Sequence, residues 1–527
     1  MMLEALPFKQ KLMIMIAVLT AIFFTSVNMT IVSTALPKII SHIGGIDYYD
    51  LVFSVYMLAT TVTSMITGKL SDMYGRKRFI LLGIGIFSVG SLLCGLSVSI
   101  IHLIAFRLIQ GIGAGMILSS AFATIGELFS PRERGRWQGL YSTVFGLSSI
   151  LGPTIGGYIV DHLPWQWTFW IFLPLGILAF LFIIKLYPTQ AVSHAQQIDY
   201  AGAITIALFI SSLLMAFSLG QKVFPWNSWP IISLFNLALV TLILFIYIET
   251  RTENPVLPLY LFRNKIFAST MLGGVTLGVG FFAANMYMPL FIQGVMGSSA
   301  TTSGLSIMGM TIALMLSSTI AGQLMSRTGK YKGIGLVGLT LVAVGFLLQA
   351  QLEPDTPLVR VIWQLIVLGL GFGALMPVLH VAVQNAVSYR YLGVATASMH
   401  TFRQMGGTVG VAVMGTVMVN LMYKKLATME VQSTLLASQL DLANPQILMD
   451  ETKINQLYQS GMENSAVLDQ LLIDLRAALG SSLTTIFLGT ACLFTLTLIV
   501  MSCVKEIPLR HSNQEEPDLK RPDTLTQ

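Results

Sequence analysis

The sequence has few charged residues and few cysteines. Only 10% of its 527 residues are Asp, Glu, Lys or Arg, whereas a soluble domain has about 25%. Its three cysteines, Cys94, Cys492 and Cys503, lie in apolar runs without CxxC spacing, so they indicate neither a metal site nor a disulfide framework. The sequence also lacks a phosphate-binding P-loop, a zinc motif and a nucleophile elbow, so we expect no cofactor and no ATP site.

Long apolar runs are abundant instead. Hydrophobic residues make up 54% of the chain, and runs of about 20 residues, the length that crosses a bilayer as a helix, recur from one end to the other. Because backbone in a bilayer must satisfy its own hydrogen bonds, and these runs lack the alternation of barrel strands, we expect about fourteen spanning helices. The first run, from near Leu12, is too long for a removed signal peptide and lacks a cleavage site. The predicted fold class is therefore an all-α integral membrane protein.

The basic residues fall mainly on one side of the expected membrane. If the N-terminus is inside, the even-numbered loops and both tails hold most Lys and Arg, and the short external loops hold only Lys38, Lys222 and Arg360. This asymmetry predicts that both termini are cytoplasmic. It also accounts for the net charge of +6 without a nucleic-acid partner.

A motif between the second and third runs organises the chain. Residues Gly68–Ile80 read GKLSDMYGRKRFI, and a partial copy without the acid, GQLMSRTGKYK, stands at Gly322–Lys332. The first copy resembles, at every fixed position, the loop between helices 2 and 3 of the major facilitator superfamily, G-x-L-x-D-x-x-G-R-[KR]. Over nearly the whole chain the resemblance is to the fourteen-helix drug:proton antiporter branch. It implies two six-helix bundles with two inserted linker helices.

The resemblance divides the chain into three parts. We expect an N-terminal six-helix bundle over residues 1–190, two linker helices over 191–260 and a C-terminal six-helix bundle over 261–527. An apolar stripe from Leu468 to Leu479 and the break at Asn444-Pro445 predict an external helical hairpin at about 421–480, with a flexible loop as the alternative. The polar tail, 505–527, is expected to be disordered.

The resemblance also implies a gate on the cytoplasmic side. Asp72, Arg76 and Glu127 match the groups that form an ionic latch in the family, with a solvated surface cluster as the alternative. On the fifth run, GLSSILGPTIGG contains Gly152, Pro153 and Gly156. This block resembles the antiporter motif of the superfamily, and its small residues allow close helix contact while Pro153 permits a kink.

Four ionisable residues inside apolar runs are candidates for proton coupling. Arg107 lies in RLIQGIGAG and Arg403 in FRQMGGTVG, and both blocks resemble motifs of the family. A buried Arg in a membrane helix is a functional-site hypothesis by default. His380 and His400 could carry a proton near neutral pH. The alternative for each residue is a structural hydrogen bond.

The first run departs from the family pattern. Its end reads VNMTIVSTALP at 27–37, where this branch usually has L-D-x-T-I-V-x-x-A-L-P, so Asn28 replaces the acid. An amide does not titrate and cannot neutralise a cation. Polar or adaptable residues within apolar helices are the candidate substrate-binding residues: Asn28, Tyr56, Asn285, Met286, Tyr287, Gln293, Gln384 and Asn385.

The sequence predicts a secondary active exporter of small amphipathic compounds, driven by protons through alternating access. We expect a monomer, not an enzyme, in a bacterial plasma membrane, with the substrate, protons and lipid as its partners. The alternative is an exporter of anionic or neutral amphiphiles, such as fatty acids, lipids or an anionic signalling molecule. It is favoured by the middle of the apolar runs, where Arg and His occur but no acid does. A membrane enzyme or non-transporting sensor would need a catalytic set or a soluble output domain, and the sequence shows neither.

Overall fold

The computed structural model describes residues 6–44, 48–188, 199–220, 224–428 and 465–509. These residues form helices joined by short connections, and fourteen helical segments among them are long and apolar enough to cross a membrane. The helices are α1 (Phe8–Ile43), α2 (Tyr49–Tyr74), α3 (Arg76–Gly95), α4 (Ile100–Leu128), α5 (Pro131–His162), α6 (Trp167–Trp170), α7 (Leu173–Leu186), α8 (Tyr200–Leu219), α9 (Trp229–Glu249), α10 (Lys265–Leu290), α11 (Ala300–Thr328), α12 (Lys332–Gln349), α13 (Leu358–Asn385), α14 (Leu392–Thr428) and α15 (Ser465–Cys503). The short α6 and α7 together form one candidate span, Trp167–Leu186.

Two groups of helices pack in the same pattern. In the N-terminal half, α1–α7, α1 contacts α5, and both α2 and α3 contact α4. In the C-terminal half, α10–α15, α10 contacts α14, and both α11 and α12 contact α13. Each half encloses a large apolar core of its own. The predicted fold class, two six-helix bundles with two inserted helices, is confirmed.

The inserted helices α8 and α9 cover one seam between the halves. They pack on each other, and α8 also contacts α2 and α14. The hydroxyl of Ser54 on α2 lies 2.6 Å from that of Ser218 on α8. Met65 on α2, Ile210 on α8 and Val394 on α14 are buried in one apolar cluster. The insert therefore packs on both halves at this seam.

The two motif copies contain glycines at equivalent turns. Gly75 follows α2 with φ of 90°, and Gly329 follows α11 with φ of 70°. Residues with a side chain rarely adopt such angles, so glycine is favoured at both turns. Gln10 near the start of α1 donates to the carbonyl of Leu186 at the end of α7, and Lys77 of the first motif copy donates to the carbonyl of Ile184 in α7. The start of α1 therefore lies on the same side as the turn at Gly75. We call this side, with Gly68–Ile80 and the end of α15, the basic face.

The expected external hairpin differs from the structure at both of its ends. Helix α14 continues to Thr428 and α15 begins at Ser465, so residues 421–428 and 465–480 extend the flanking spans. The side chains of Leu472, Leu475 and Leu479 are buried against the C-terminal core, which explains the apolar stripe. Residues 429–464 of the expected hairpin lie outside the described residues.

The start of the tail also differs from the expectation of disorder. Glu506 accepts the backbone amides of Tyr331 at 2.7 Å and of Lys332 at 2.9 Å, at the beginning of α12. Leu509 is buried and its amide reaches the carbonyl of Gly329. The sequence pattern missed this docking because a short polar segment is held here by backbone groups of a distant turn. Residues 510–527 lie outside the described residues.

Candidate functional site

A buried ionic group, which we call the Asp72 cluster, lies at the basic face and comprises Asp72, Arg76, Glu127 and Tyr389. Arg76 donates through Nη2 to Asp72 Oδ1 at 2.9 Å, and its Nη1 lies 3.3 Å from Glu127 Oε2. Arg76 also donates to the carbonyl of Ala123. The side chains of Asp72, Arg76 and Glu127 are at most 6% exposed, so their charges interact with little screening by water.

The Asp72 cluster connects the two halves. Asp72 Oδ2 accepts the amides of Gly393 at 2.8 Å and of Val394 at 3.1 Å, which are the first turn of α14. A carboxylate at a helix N-terminus is favoured by the free amides and by the helix dipole. Glu127 Oε1 accepts the hydroxyl of Tyr389 at 2.8 Å. Two acids of the N-terminal half are therefore bound by groups of the C-terminal half.

Tyr187, just after α7, completes the shell around Glu127. Its hydroxyl donates to Glu127 Oε2 at 3.2 Å. Burial raises the pKa of the Tyr187 phenol well above its ordinary value, and the negative charge of Glu127 raises it further. Tyr187 is therefore protonated at neutral pH and acts as a donor to the carboxylate.

A second connection between the halves involves the partial motif copy. Arg132, at the start of α5, donates to the carbonyls of Ser326 at 3.0 Å and Arg327 at 2.9 Å, in the last turn of α11. Ser326 stands where the first copy has its acid. A positive side chain at a helix C-terminus is favoured for the same reason as an acid at an N-terminus. At the partial copy, the contact between the halves is therefore made by an arginine of α5 and not by an acid of the motif.

Glycines allow the helices of the two halves to approach closely at these connections. A Cβ at Gly322 on α11 would collide with the carbonyl of Gly135 on α5. A Cβ at Gly393 on α14 would collide with Asp72 and with the carbonyl of Gly68 on α2. Because these helix backbones touch, the polar groups beside the glycines can form hydrogen bonds from one half to the other.

Arg107 lies in a buried polar network inside the N-terminal half. Its Nη1 donates to Gln110 Oε1 at 2.6 Å, and Gln110 Nε2 donates to Asn28 Oδ1 at 3.0 Å and Ser91 Oγ at 2.7 Å. The guanidinium lies 4.0 Å from the ring centre of Tyr56, a cation–π distance. Asn28 Nδ2 and Arg107 Nη2 have no hydrogen-bond partner among the described residues. The sequence candidates Asn28, Tyr56 and Arg107 are thus brought together.

A second group of candidates, which we call the Arg403 cluster, lies between the halves and comprises Arg403, His380, His400, Tyr141 and Phe122. The rings of Phe122 on α4 and His380 on α13 stack with centres 4.5 Å apart and planes 14° apart. Tyr141 on α5 lies 4.0 Å from Phe122 between ring centres. His400 and Arg403 lie three residues apart on one face of α14, and the His400 ring lies 6.4 Å from the Phe122 ring between centres. Four helices, two from each half, therefore meet at this cluster.

The other candidate substrate-binding residues do not form one group. Gln384 lies beside the Arg403 cluster and donates to the carbonyl of Phe122 at 3.4 Å and to Thr396 at 3.2 Å. Asn385 instead lies at the basic face and donates to Ile507 and Pro508 of the docked tail.

Three candidates lie on α10, and Gln293 lies in the π-helical turn Phe291–Val295 that follows it. Tyr287 is buried and donates to the carbonyl of Val411 at 2.7 Å. Asn285 donates to the carbonyl of Phe281 within its own helix. Met286 is 47% exposed and Gln293 is partly exposed. No described polar contact connects these residues with the Arg403 cluster.

The glycine block of α5 packs against α1. A Cβ at Gly152 would collide with Thr30 Oγ1, and one at Gly156 would collide with Thr34 Oγ1. Thr30 donates to the carbonyl of Ser148 at 2.9 Å. Pro153 lies inside the helix, which runs without interruption from Pro131 to His162. This block therefore positions α1, with Asn28, against α5.

Sequence reasoning missed a buried acid at the end of α9. Glu249 is 4% exposed and accepts the amides of Val256 at 3.1 Å and Leu257 at 3.3 Å. Its charge also interacts with those of Asp199 and Lys69. The sequence does show an acid as the last residue of this apolar run. It was overlooked because only the centres of the runs were searched for acids. Among the described residues, no group of His, Cys, Asp and Glu is arranged to hold a metal ion.

Comparisons with known proteins place these features in context. The family model described as Major Facilitator Superfamily matches residues 18–411. The chain is 38% identical to "Multidrug transporter protein MdtP" of Bacillus subtilis (strain 168) over 409 residues, 78% of this chain and 75% of that protein. It is 35% identical to "Multidrug resistance protein 3" of the same organism over 479 residues, 90% of this chain and 91% of that protein. The solved structure of the proton:xylose symporter XylE superposes with a TM-score of 0.59 at 12% identity, covering 94% of this chain and 95% of that one.

Proposed function

Because the chain belongs to the Major Facilitator Superfamily, we propose that it exports small amphipathic molecules by alternating access, in exchange for protons. The superfamily fold provides two halves that can rock about a site between them. Both Bacillus subtilis relatives are named for multidrug transport or resistance, which supports amphipathic substrates.

The observation that carries the proposal is the Asp72 cluster. It joins the halves through hydrogen bonds from the start of α14 to Asp72, and these bonds must break for a central site to open toward the basic face. We assign the basic face, with both termini, to the cytoplasm, because basic loops remain on that side. Asp72, Arg76 and Glu127 then form the inner gate, which is closed in this arrangement.

The moving units in this proposal are residues 1–190 and 261–527, linked by 191–260. The block of Gly152, Pro153 and Gly156 keeps α5 in close contact with α1 as the N-terminal half moves, and Pro153 permits α5 to bend. The protein acts as a monomer in the bacterial plasma membrane. Each half supplies its own side of the site, so no second copy is needed.

The substrate contacts Asn28, Tyr56 and Gln384 in this proposal. Asn28 and Tyr56 lie in the polar network around Arg107, and Gln384 lies beside the Arg403 cluster. Asn285, Tyr287 and Asn385 are left out, since each is already bonded to backbone carbonyls elsewhere.

Arg107, Arg403, His380 and His400 couple transport to protons in this proposal. The two histidines are the groups that gain and lose a proton, because Arg stays charged. His380 Nε2 and His400 Nδ1 have no hydrogen-bond partner among the described residues, so each ring has a position at which a proton can be exchanged.

Everted membrane vesicles with an acidic lumen test the proposal. The probes are dansyl-aminoundecanoic acid and a dansyl-labelled amine of the same chain length. We expect at least one probe to accumulate in the lumen, and we expect nigericin, which collapses the pH gradient, to stop the accumulation. Vesicles that lack the protein are the control. Failure of both probes to accumulate contradicts export, and accumulation that survives nigericin contradicts proton coupling.

Histidine variants locate the coupling. His380→Gln combined with His400→Gln should abolish the proton release that follows substrate addition, as measured with a pH-sensitive dye in the lumen. His162→Gln, an exposed histidine at the far end of α5, is the matched control. Unchanged proton release in the double variant contradicts a coupling role for these two residues.

A further inference from the structure

Arg403 has no ionic partner within the described part of the chain. Its side chain is partly exposed, and no described group forms a hydrogen bond or a salt bridge with its guanidinium. Charged side chains inside a membrane protein are costly unless they are paired, so an unpaired Arg in such a place calls for a partner from outside the chain.

The surroundings of Arg403 are suited to a ligand that is part polar and part apolar. His380 Nδ1 lies 2.9 Å from the carbonyl of Met376, which fixes the proton on that nitrogen and turns Nε2 away from its own helix backbone. His380 Nε2 and His400 Nδ1 have no described partner. Phe122 stacks on the His380 ring, and Tyr141 lies against Phe122, so two aromatic rings border this polar group.

No described carboxylate is placed to neutralise this positive charge. Every described Asp or Glu in a candidate span lies within about one turn of an end of that span. The other mid-span arginine, Arg107, is paired with the neutral Gln110 and lies over Tyr56. Asn28 adds a neutral amide to the same network. The interior therefore has an excess of positive charge.

We propose that Arg403, with His400 and Tyr141, binds the carboxylate head group of an anionic amphiphile, while Phe122 contacts its apolar chain. The inference rests on the proposed function and specifies its substrate class. A carboxylate matches the planar fork of a guanidinium and its single charge, whereas a doubly charged phosphate would leave surplus negative charge in a buried site. A cationic amphiphile would be repelled by Arg403.

Binding to the purified full-length protein in detergent tests this inference. The probes are dansyl-aminoundecanoic acid and its methyl ester, which share the same chain and differ only at the head group, a charged carboxylate against a neutral ester. We expect the acid to bind at least about tenfold more tightly than the ester, the difference typical of a charge-assisted hydrogen bond. Equal binding of the two probes by the wild type overturns the inference.

Variants assign the preference to Arg403. Arg403→Gln should bind acid and ester equally, with its ester affinity within about twofold of the wild type, which also shows that the variant is folded. Arg403→Lys, which retains the charge without the fork, should keep part of the preference. Arg360→Gln, which replaces an exposed arginine in the first turn of α13, is the matched control and should keep all of it. A full preference for the acid in Arg403→Gln assigns the charge recognition to another group and overturns the inference.

The vesicle assay separates failure of this inference from failure of the proposed function. Export of the dansyl-labelled amine but not of the acid leaves the exporter in place and overturns the carboxylate site. Export of the acid that is lost in Arg403→Gln but retained in Arg360→Gln supports both. Tight binding of the acid in detergent without export of any probe supports the site and contradicts the exporter.

Discussion

The carboxylate of Asp72 accepts the backbone amide of Gly393 at 2.8 Å, although 321 positions separate the two residues in the chain. Gly393 lies in the first turn of α14, and Asp72 in the last turn of α2. The bond therefore joins an acid to a helix N-terminus and one half of the molecule to the other. Arg76 holds the same carboxylate in place at 2.9 Å.

Asp72→Asn should weaken the contact between the halves. The amide keeps one acceptor oxygen but loses the negative charge, and its NH2 group faces the amide hydrogens of α14. A charge-assisted hydrogen bond contributes about 1.5–3 kcal/mol, so the population open to the basic face should rise roughly tenfold or more. Maleimide labelling of Ser398→Cys, in a background with Cys492 and Cys503 replaced by serine, measures this opening.

Ser398 is suited to this measurement because it is fully buried where α14 meets α2, with its hydroxyl 3.8 Å from Met65 Sδ. Labelling of Ser398→Cys should therefore be slow in the parent protein and faster with Asp72→Asn. Asp355→Asn, an exposed acid in the loop before α13, is the control and should leave the rate unchanged. Equal labelling rates in all three proteins would show that Asp72 does not hold the halves together.

Gly322→Ala should disturb the second connection between the halves. The new methyl group would overlap the carbonyl of Gly135, and overpacking of this kind costs about 1–3 kcal/mol. We expect a lower midpoint of thermal unfolding and a slower export rate. Gly333→Ala places a methyl group on the next helix with nothing within 4 Å, so it is the matched control. The prediction is wrong if both alanine variants behave alike.

Glu249→Gln should destabilise the loop that joins α9 to the C-terminal half. Glu249 is buried and accepts the backbone amides of Val256 and Leu257. In glutamine, the side-chain NH2 group would face one of these amide hydrogens, so that amide would lose its acceptor. An unsatisfied buried group costs about 1–3 kcal/mol, so the midpoint of thermal unfolding should fall. Glu253→Gln, an exposed acid in the same loop, is the control. Identical midpoints for both variants would contradict a structural role for Glu249.

The sequence was sufficient for the fold because its strongest signals are local. Apolar runs predict the spans, and the motif glycines predict turns that the structure shows with positive φ at Gly75 and Gly329. It also pointed to Asp72, Arg76 and Glu127, and the structure places both acids against Arg76, Asp72 at 2.9 Å and Glu127 at 3.3 Å. Asp72 and Arg76 could be found because they belong to one contiguous motif. Glu127 could be found because it ends the fourth apolar run on the same side of the membrane as that motif.

The remaining site residues could not be grouped from sequence, because their partners come from distant helices. Asn385 looked like a pocket residue, yet it is bonded to the docked tail. Tyr141, in contrast, was not among the candidates, because its neighbours in the Arg403 cluster lie on α4 and α13, and only the packing of α5 against these helices brings them together. The same holds for Arg132, whose carbonyl partners on α11 are backbone atoms and leave no trace in the sequence.

Asn28→Asp tests how the interior charge determines substrate choice. Asn28 is fully buried and linked to Arg107 through Gln110, so a carboxylate there would offset part of the positive charge. Export of the dansyl-labelled amine should rise relative to that of the acid, by roughly tenfold for about 1.4 kcal/mol of charge interaction. Asn254→Asp, which adds an acid beside Arg390 in the loop after α9, is the control and should leave the ratio unchanged. An unchanged ratio in Asn28→Asp would mean that charge near Arg107 does not select the substrate, because the added acid lies in the same buried network as that arginine.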